Sequence, residues 1–176
     1  MSYFYDQLSK AYYMNLEKQL DKEIGETYNR LLKTNKTVFT RQRPVRTYSE
    51  FLKDKGAIMS LIRVGISFKL FTLIKQIAPF SEKNWAEVLD LSTKSLKRYE
   101  QQKKPFRSIQ SEKIIEISEV TQMGLDTFGN IERFKLWLET PTVALGNVKP
   151  IELLNDSYGK DLVLGELTRI NYGILS

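Results

Sequence analysis

The sequence predicts an all-α protein on three observations. Apolar residues recur at spacings of three and four over most of the chain, alternation with period two is weak everywhere, and Ser, Pro and Gly punctuate the periodic stretches. With 176 residues, 41 % of them hydrophobic, there is enough material for one good core or two small ones. The first periodic stretch, residues 3–33, sets Phe4, Leu8, Tyr12, Leu16, Leu20, Ile24, Tyr28 and Leu31 on one helical stripe, which needs a partner surface. The following segment, up to residue 48, has turn formers, Pro44 and no helical periodicity, and reads as a basic linker. From Arg30 to Tyr48 every charged side chain is basic.

Residues 49–128 read as several short helices. The segments TYSEFLKDKG and SFKLFTLIKQIA supply the first. Ser81 caps EKNWAEVLD, Ser92 caps TKSLKRYEQQ, and Ser108 or Ser111 opens a longer helix through Ile114, Ile115, Val120, Met123 and Phe128. The two middle helices form a helix-turn-helix, with Ala86 at the crossing, Leu91 beneath the turn, and Leu96 and Tyr99 on the buried stripe of the second. That stripe turns Lys94, Lys97, Arg98 and Gln101 outward on one basic and polar face. Thr93 and Ser95 lie near the helix N-terminus, where phosphate or base edges could be met. These six are the candidate DNA-binding residues. The segment resembles the helix-turn-helix of Xre/Cro-type repressors in its Ala86, its Leu91-Ser92 pair and its Leu96-Lys-Arg-Tyr99-Glu100 ending. Asp90 stands where that family has a turn glycine, and Asp tolerates the left-handed conformation better than most residues.

Composition excludes much chemistry. The chain has no Cys and no His, which removes disulfides, thiolate and imidazole metal sites, His-based triads and Cys–His dyads. No constellation of carboxylates, Lys, Tyr or Ser–Lys suggests catalysis, so no catalytic residue, metal or cofactor is expected. The N-terminus lacks an apolar secretory core, and the longest apolar region is interrupted by Arg63 and Lys69, so a soluble cytoplasmic protein without membrane contact is expected. The net charge of +6 is concentrated in the first two thirds, with a second basic cluster from Lys94 to Arg107. Nucleic acid is therefore expected to meet those two thirds, leaving the last third for another partner.

In that last third, IERFKLWLETP puts Ile131, Phe134, Trp137 and Leu138 on one apolar face, and Pro141 stops the helix. Gly146 suits a turn, Pro150 the first turn of a new helix bearing Ile151, Leu153 and Leu154. A final helix from about residue 160 to 172 carries Val163, Leu167, Ile170 and Ile174 at spacings of four, three and four, and Gly173 ends it. Phe128-Gly129-Asn130, Trp137-Leu138 with Pro141, Leu145-Gly146, Pro150-Ile-Glu152-Leu153-Leu154, Gly159 and Arg169-Ile170-Asn-Tyr172-Gly173 occur in fixed order. This pattern closely resembles the toxin-binding domain of Xre/MbcA/ParS antitoxins, partners of RES-domain toxins. The resemblance covers about residues 50–176.

The resemblance implies an antitoxin with an Xre-like helix-turn-helix domain over residues 49–128 and a toxin-binding domain with an inhibitory tail over residues 129–176, preceded by an N-terminal helix and linker over residues 1–48. It further implies neutralisation of a cognate RES-domain, NAD+-degrading toxin by occlusion of its active site. Autorepression through double-stranded operator DNA is implied as well, by a homodimer within a toxin–antitoxin hetero-oligomer. Trp137, Leu138, Pro141, Leu145, Gly146, Pro150, Leu153, Leu154 and Gly159 would mainly set the shape of the domain. Arg169, Asn171, Tyr172, Gly173, Ile174, Leu175 and Ser176, at the chain end where packing obligations are low, would touch the toxin. The alternative is a stand-alone helix-turn-helix regulator with no toxin partner.

Overall fold

The computed structural model describes residues 2–34 and 44–173, with side chains from residue 11 onward. Among these residues every regular element is helical, apart from an isolated antiparallel bridge between Thr142 and Val148. Ten α-helices follow one another: α1 (Ser2–Lys33), α2 (Tyr48–Lys53), α3 (Lys55–Val64), α4 (Phe68–Ile77), α5 (Glu82–Val88), α6 (Thr93–Gln102), α7 (Ser108–Phe128), α8 (Ile131–Glu139), α9 (Pro150–Leu153) and α10 (Ser157–Asn171). The chain divides into two compact units, one of Met1–Ile77 with Lys103–Ser111, the other of Ala78–Gln102 with Glu112–Ser176.

In the first unit the stripe of α1 finds its partner surface from Leu16 onward; Tyr12 is 55 % exposed, and the side chains of Phe4 and Leu8 lie outside the described residues. Leu16, Leu20, Ile24, Tyr28 and Leu31 are all buried, and α1 packs on α4, α2 and α3. Glu23, buried on the same face, pairs with Lys69 of α4, and that hydrogen bond raises the Lys69 pKa. Asp21 accepts the Tyr48 backbone N–H at 2.7 Å, which ties α1 to the first residue of α2. Thr47 and Glu50 form a reciprocal capping box at the start of α2. Asp54 then closes α2 and caps α3 through the Ala57 N–H, so α3 is a separate helix that the local sequence pattern does not announce. Pro44 to Thr47, the last part of the basic linker, is non-helical, and Val45 within it is buried. Residues 35–43 of that linker lie outside the described residues.

The returning segment Lys103–Ser111 completes this core. Phe106 sits 4.9 Å from Phe71, centroid to centroid, and stacks on Phe68 at 6.3 Å. Its N–H donates to the Ile66 carbonyl at 2.8 Å, while Ile66 N–H donates to the buried Ser111 hydroxyl at 2.9 Å. Gly65 makes this possible: at φ 95° it occupies a region that L side chains rarely adopt, and a Cβ there would lie 2.3 Å from the Phe106 carbonyl oxygen.

The second unit is built on α7 from Glu112 onward, whose Ile114, Ile115, Ile117 and Val120 are buried. Gly124 of α7 lies against the Phe134 ring, where a Cβ would come within 2.2 Å of a ring carbon. Phe134 is itself fully buried and forms a three-ring cluster with Phe128 at 6.2 Å and Trp137 at 6.3 Å, those two rings lying 5.6 Å apart. Gly124 is thus a seat for an aromatic ring.

A basic helix face and an exposed terminal helix

Both candidate surfaces lie in the second unit. The segment expected to be a helix-turn-helix starts at Ser81, whose hydroxyl caps the Asn84 N–H while Asn84 reaches back to the Ser81 N–H. Trp85, Ala86, Val88 and Leu89 are buried, as is Leu96 of α6, whereas Leu91 and Tyr99 are half-buried. In the turn between α5 and α6, Asp90 adopts φ 51°, and the Leu91 N–H donates to the Ala86 carbonyl at 2.9 Å. A short polar residue in the left-handed region thus does the turn glycine's work.

On α6 the structure places Thr93, Lys94, Lys97, Arg98 and Gln101 in the exposed set. Ser95 differs from the other five: it is half-buried, its N–H donates to the Ser92 hydroxyl at 3.0 Å, and its own hydroxyl lies 3.0 Å from the same group. Ser92 is thus the residue that caps α6, and the Ser95 hydroxyl is engaged with that cap. Exposed Glu100, three residues after Lys97 and seven after Thr93, borders this face, so the face is basic and polar with one acidic neighbour at its edge.

The last helices are set by local rules. Asn130 caps α8 through the Arg133 N–H at 2.8 Å, and α8 ends at Glu139 just before Pro141. Val143–Leu145 form a single 3-10 turn closed by Gly146 at φ 77° and Asn147 at φ 59°, and Pro150 opens α9. Leu138, Pro150 and Leu154 are buried, Trp137, Leu145 and Leu153 are half-buried, and Pro141 and Gly146 are exposed.

The terminal helix begins at Ser157, three residues before the periodic pattern suggests, because Asp156 accepts the Gly159 N–H at 2.8 Å as its N-cap. A polar cluster holds this end on α7. Lys113 donates to the Asn155 carbonyl at 3.2 Å, Ser157 donates to Glu116 at 3.1 Å, and Lys160 pairs with Glu116 at 3.7 Å and Asp161 at 3.2 Å. Burial opposes the charge on Lys160, but the hydrogen bond to Asp161 and the field of Glu116 outweigh it, and the ammonium pKa is raised.

Gly159 is the third residue of α10, and its role is close approach. A Cβ there would lie 1.9 Å from the Leu153 backbone carbonyl oxygen, so α9 and α10 meet through the missing side chain. Gly159→Ala is expected to destabilise this unit by about 1–3 kcal/mol through overpacking against backbone. A thermal melt checks this, and an unchanged midpoint would contradict it.

Val163 and Leu167 of α10 are fully buried and Ile170 is half-buried. Of the candidate toxin-contact residues, Asn171, Tyr172 and Gly173 are exposed, with Gly173 at φ 68° ending the helix. Arg169 is half-buried and pairs with Glu166 at 3.0 Å. Ile174, Leu175 and Ser176 lie outside the described residues. Sequence reasoning passed over Leu136, Val143, Tyr158 and Leu162, which are 67, 82, 86 and 58 % exposed. Tyr158 and Leu162 had a signal, being four apart and out of phase with Val163 and Leu167.

These helices make an all-α protein in which α8 and α10, near its end, are capped by residues of their own segment. Residues 123–173 match the model of the antitoxin Xre/MbcA/ParS C-terminal toxin-binding domain. Among solved structures, a chain of the M. tuberculosis MbcT–MbcA toxin–antitoxin complex is similar in fold. It has 16 % sequence identity and a TM-score of 0.50, with 60 % of this chain and 94 % of that chain covered. No curated protein matches the chain. Among the described residues, no helix is long and apolar enough to cross a membrane.

Proposed function

We propose that this protein is an antitoxin that binds a cognate RES-domain toxin, an NAD+-degrading enzyme, and neutralises it by laying its terminal helix and tail over the active-site entrance. The observation that carries this reading is the match of residues 123–173 to an antitoxin toxin-binding domain, a span that takes in the whole of α10. Exposure of Asn171, Tyr172 and Gly173 at the end of a helix anchored by Val163 and Leu167 supports the role of the tail. Such a tail acts by excluding substrate and needs no catalytic group of its own. The exposed basic face of α6 supports a second task, binding of operator DNA by a dimer to repress the antitoxin's own operon. Co-expression of the chain with the RES-domain protein encoded in the same genome tests the main task. Restored growth and cellular NAD+ are expected, and undiminished toxicity would overturn the reading.

A further inference from the structure

We infer that the toxin docks along the whole outer face of α10, with Gly165 as the point where its surface comes closest to the antitoxin's backbone. This deepens the proposed function and rests on it. Tyr158, Leu162, Gly165, Arg169 and Tyr172 are spaced four, three, four and three apart, which puts them on one face of the helix, opposite Val163 and Leu167. That face runs about 21 Å from Tyr158 to Tyr172 at the α-helical rise. Tyr158, Leu162 and Tyr172 are 86, 58 and 75 % exposed.

Gly165 is the independent sign of a close partner. It lies in the middle of a helix of 15 residues, where glycine weakens the helix relative to alanine. Nothing among the described residues requires it: its φ is not positive, it is exposed, and a Cβ there would meet none of their atoms within 4 Å. Gly159, on the same helix, is forced by the Leu153 carbonyl. A glycine with open space over it, flanked by exposed Leu162 and Tyr158, fits a surface from outside that presses onto the helix. The toxin is the occupant that the family match supports, because residues 123–173 are the toxin-binding domain and enclose this ridge.

The test compares full-length chains carrying Gly165→Ala, Gly165→Arg or Leu162→Arg with wild type, using the RES-domain protein that wild type captures. Gly165→Ala should raise the melting temperature by about 2–4 °C, as an exposed mid-helix glycine does when replaced. Gly165→Arg and Leu162→Arg should leave the fold intact and weaken capture by about 30-fold or more, the scale of interface hot spots. Wild-type affinity in both Arg variants overturns the ridge while leaving the antitoxin reading standing. Loss of self-association with unchanged capture, read by light scattering, also overturns it by making the face a contact between copies. If wild type captures no RES-domain protein, the ridge falls together with the reading beneath it.

Discussion

A chain that stops at Asn171 is expected to fold like the full-length protein and to lose its ability to block NAD+ breakdown by the toxin. The cut is placed by the structure. Ending the chain at Asp161 would remove Val163 and Leu167, both fully buried, and with them part of the core. Ending it at Asn171 removes Tyr172 to Ser176, of which Tyr172 is 75 % exposed and Gly173 ends the helix. Loss of exposed residues such as Tyr172 and Gly173 at a helix end changes stability little, within about 0.5 kcal/mol. The loss of inhibition, in contrast, should be near complete, because a tail that excludes substrate has no partial substitute in this chain. The expected pattern is toxin still captured through the α10 ridge, with its NAD+-degrading activity returned. A truncated chain that inhibits as well as the full-length chain would show that the tail is not the inhibitory element.

Replacing Lys94, Lys97 and Arg98 together by glutamine is expected to abolish tight binding to the operon's own upstream DNA. All three are exposed on α6, so the triple variant should melt like wild type. If each contacts one phosphate, the log–log slope of affinity against salt becomes shallower by about 2.7, from roughly 0.9 per contact. Anisotropy titrations over a salt series read that slope. Single replacements separate the roles: a phosphate contact lowers affinity evenly across sequences, whereas a base contact relaxes the preference at one position. An unchanged slope would leave the face as solvated surface only.

Where a structural choice was made by a residue and its near neighbours, the sequence displayed it. Pro141 and Pro150 bound a helix end and a helix start, Ser81 caps α5, Asp90 takes the left-handed turn, and Gly173 ends α10. The stripe of α1 from Leu16 to Leu31 is buried as its spacing requires. Choices made by distant parts of the chain were hidden. Gly124 and Gly159 answer to the Phe134 ring and the Leu153 carbonyl, contacts that no local pattern encodes. One local choice was hidden too: Asp54 serves two helices at once, and Gly56 two residues after it reads as a breaker, so α3 did not stand out from the segment before it. For the candidate sites the division is similar. The basic face of α6 follows from helical spacing, but the hydrogen bond that engages the Ser95 hydroxyl with Ser92 and the pairing of Arg169 with Glu166 needed coordinates. The outer ridge of α10 became visible only once Val163 and Leu167 had fixed the helix's inner side.

The central claim, that this chain holds and silences a toxin, is tested most directly by purifying the tagged full-length chain from its native host and identifying by mass what comes with it. The account predicts a stoichiometric RES-domain partner whose NAD+-degrading activity appears once the antitoxin is stripped away under denaturing conditions and the partner is refolded. A folded, full-length chain that brings down no such protein, or a partner that remains inert toward NAD+ after release and refolding, would contradict it.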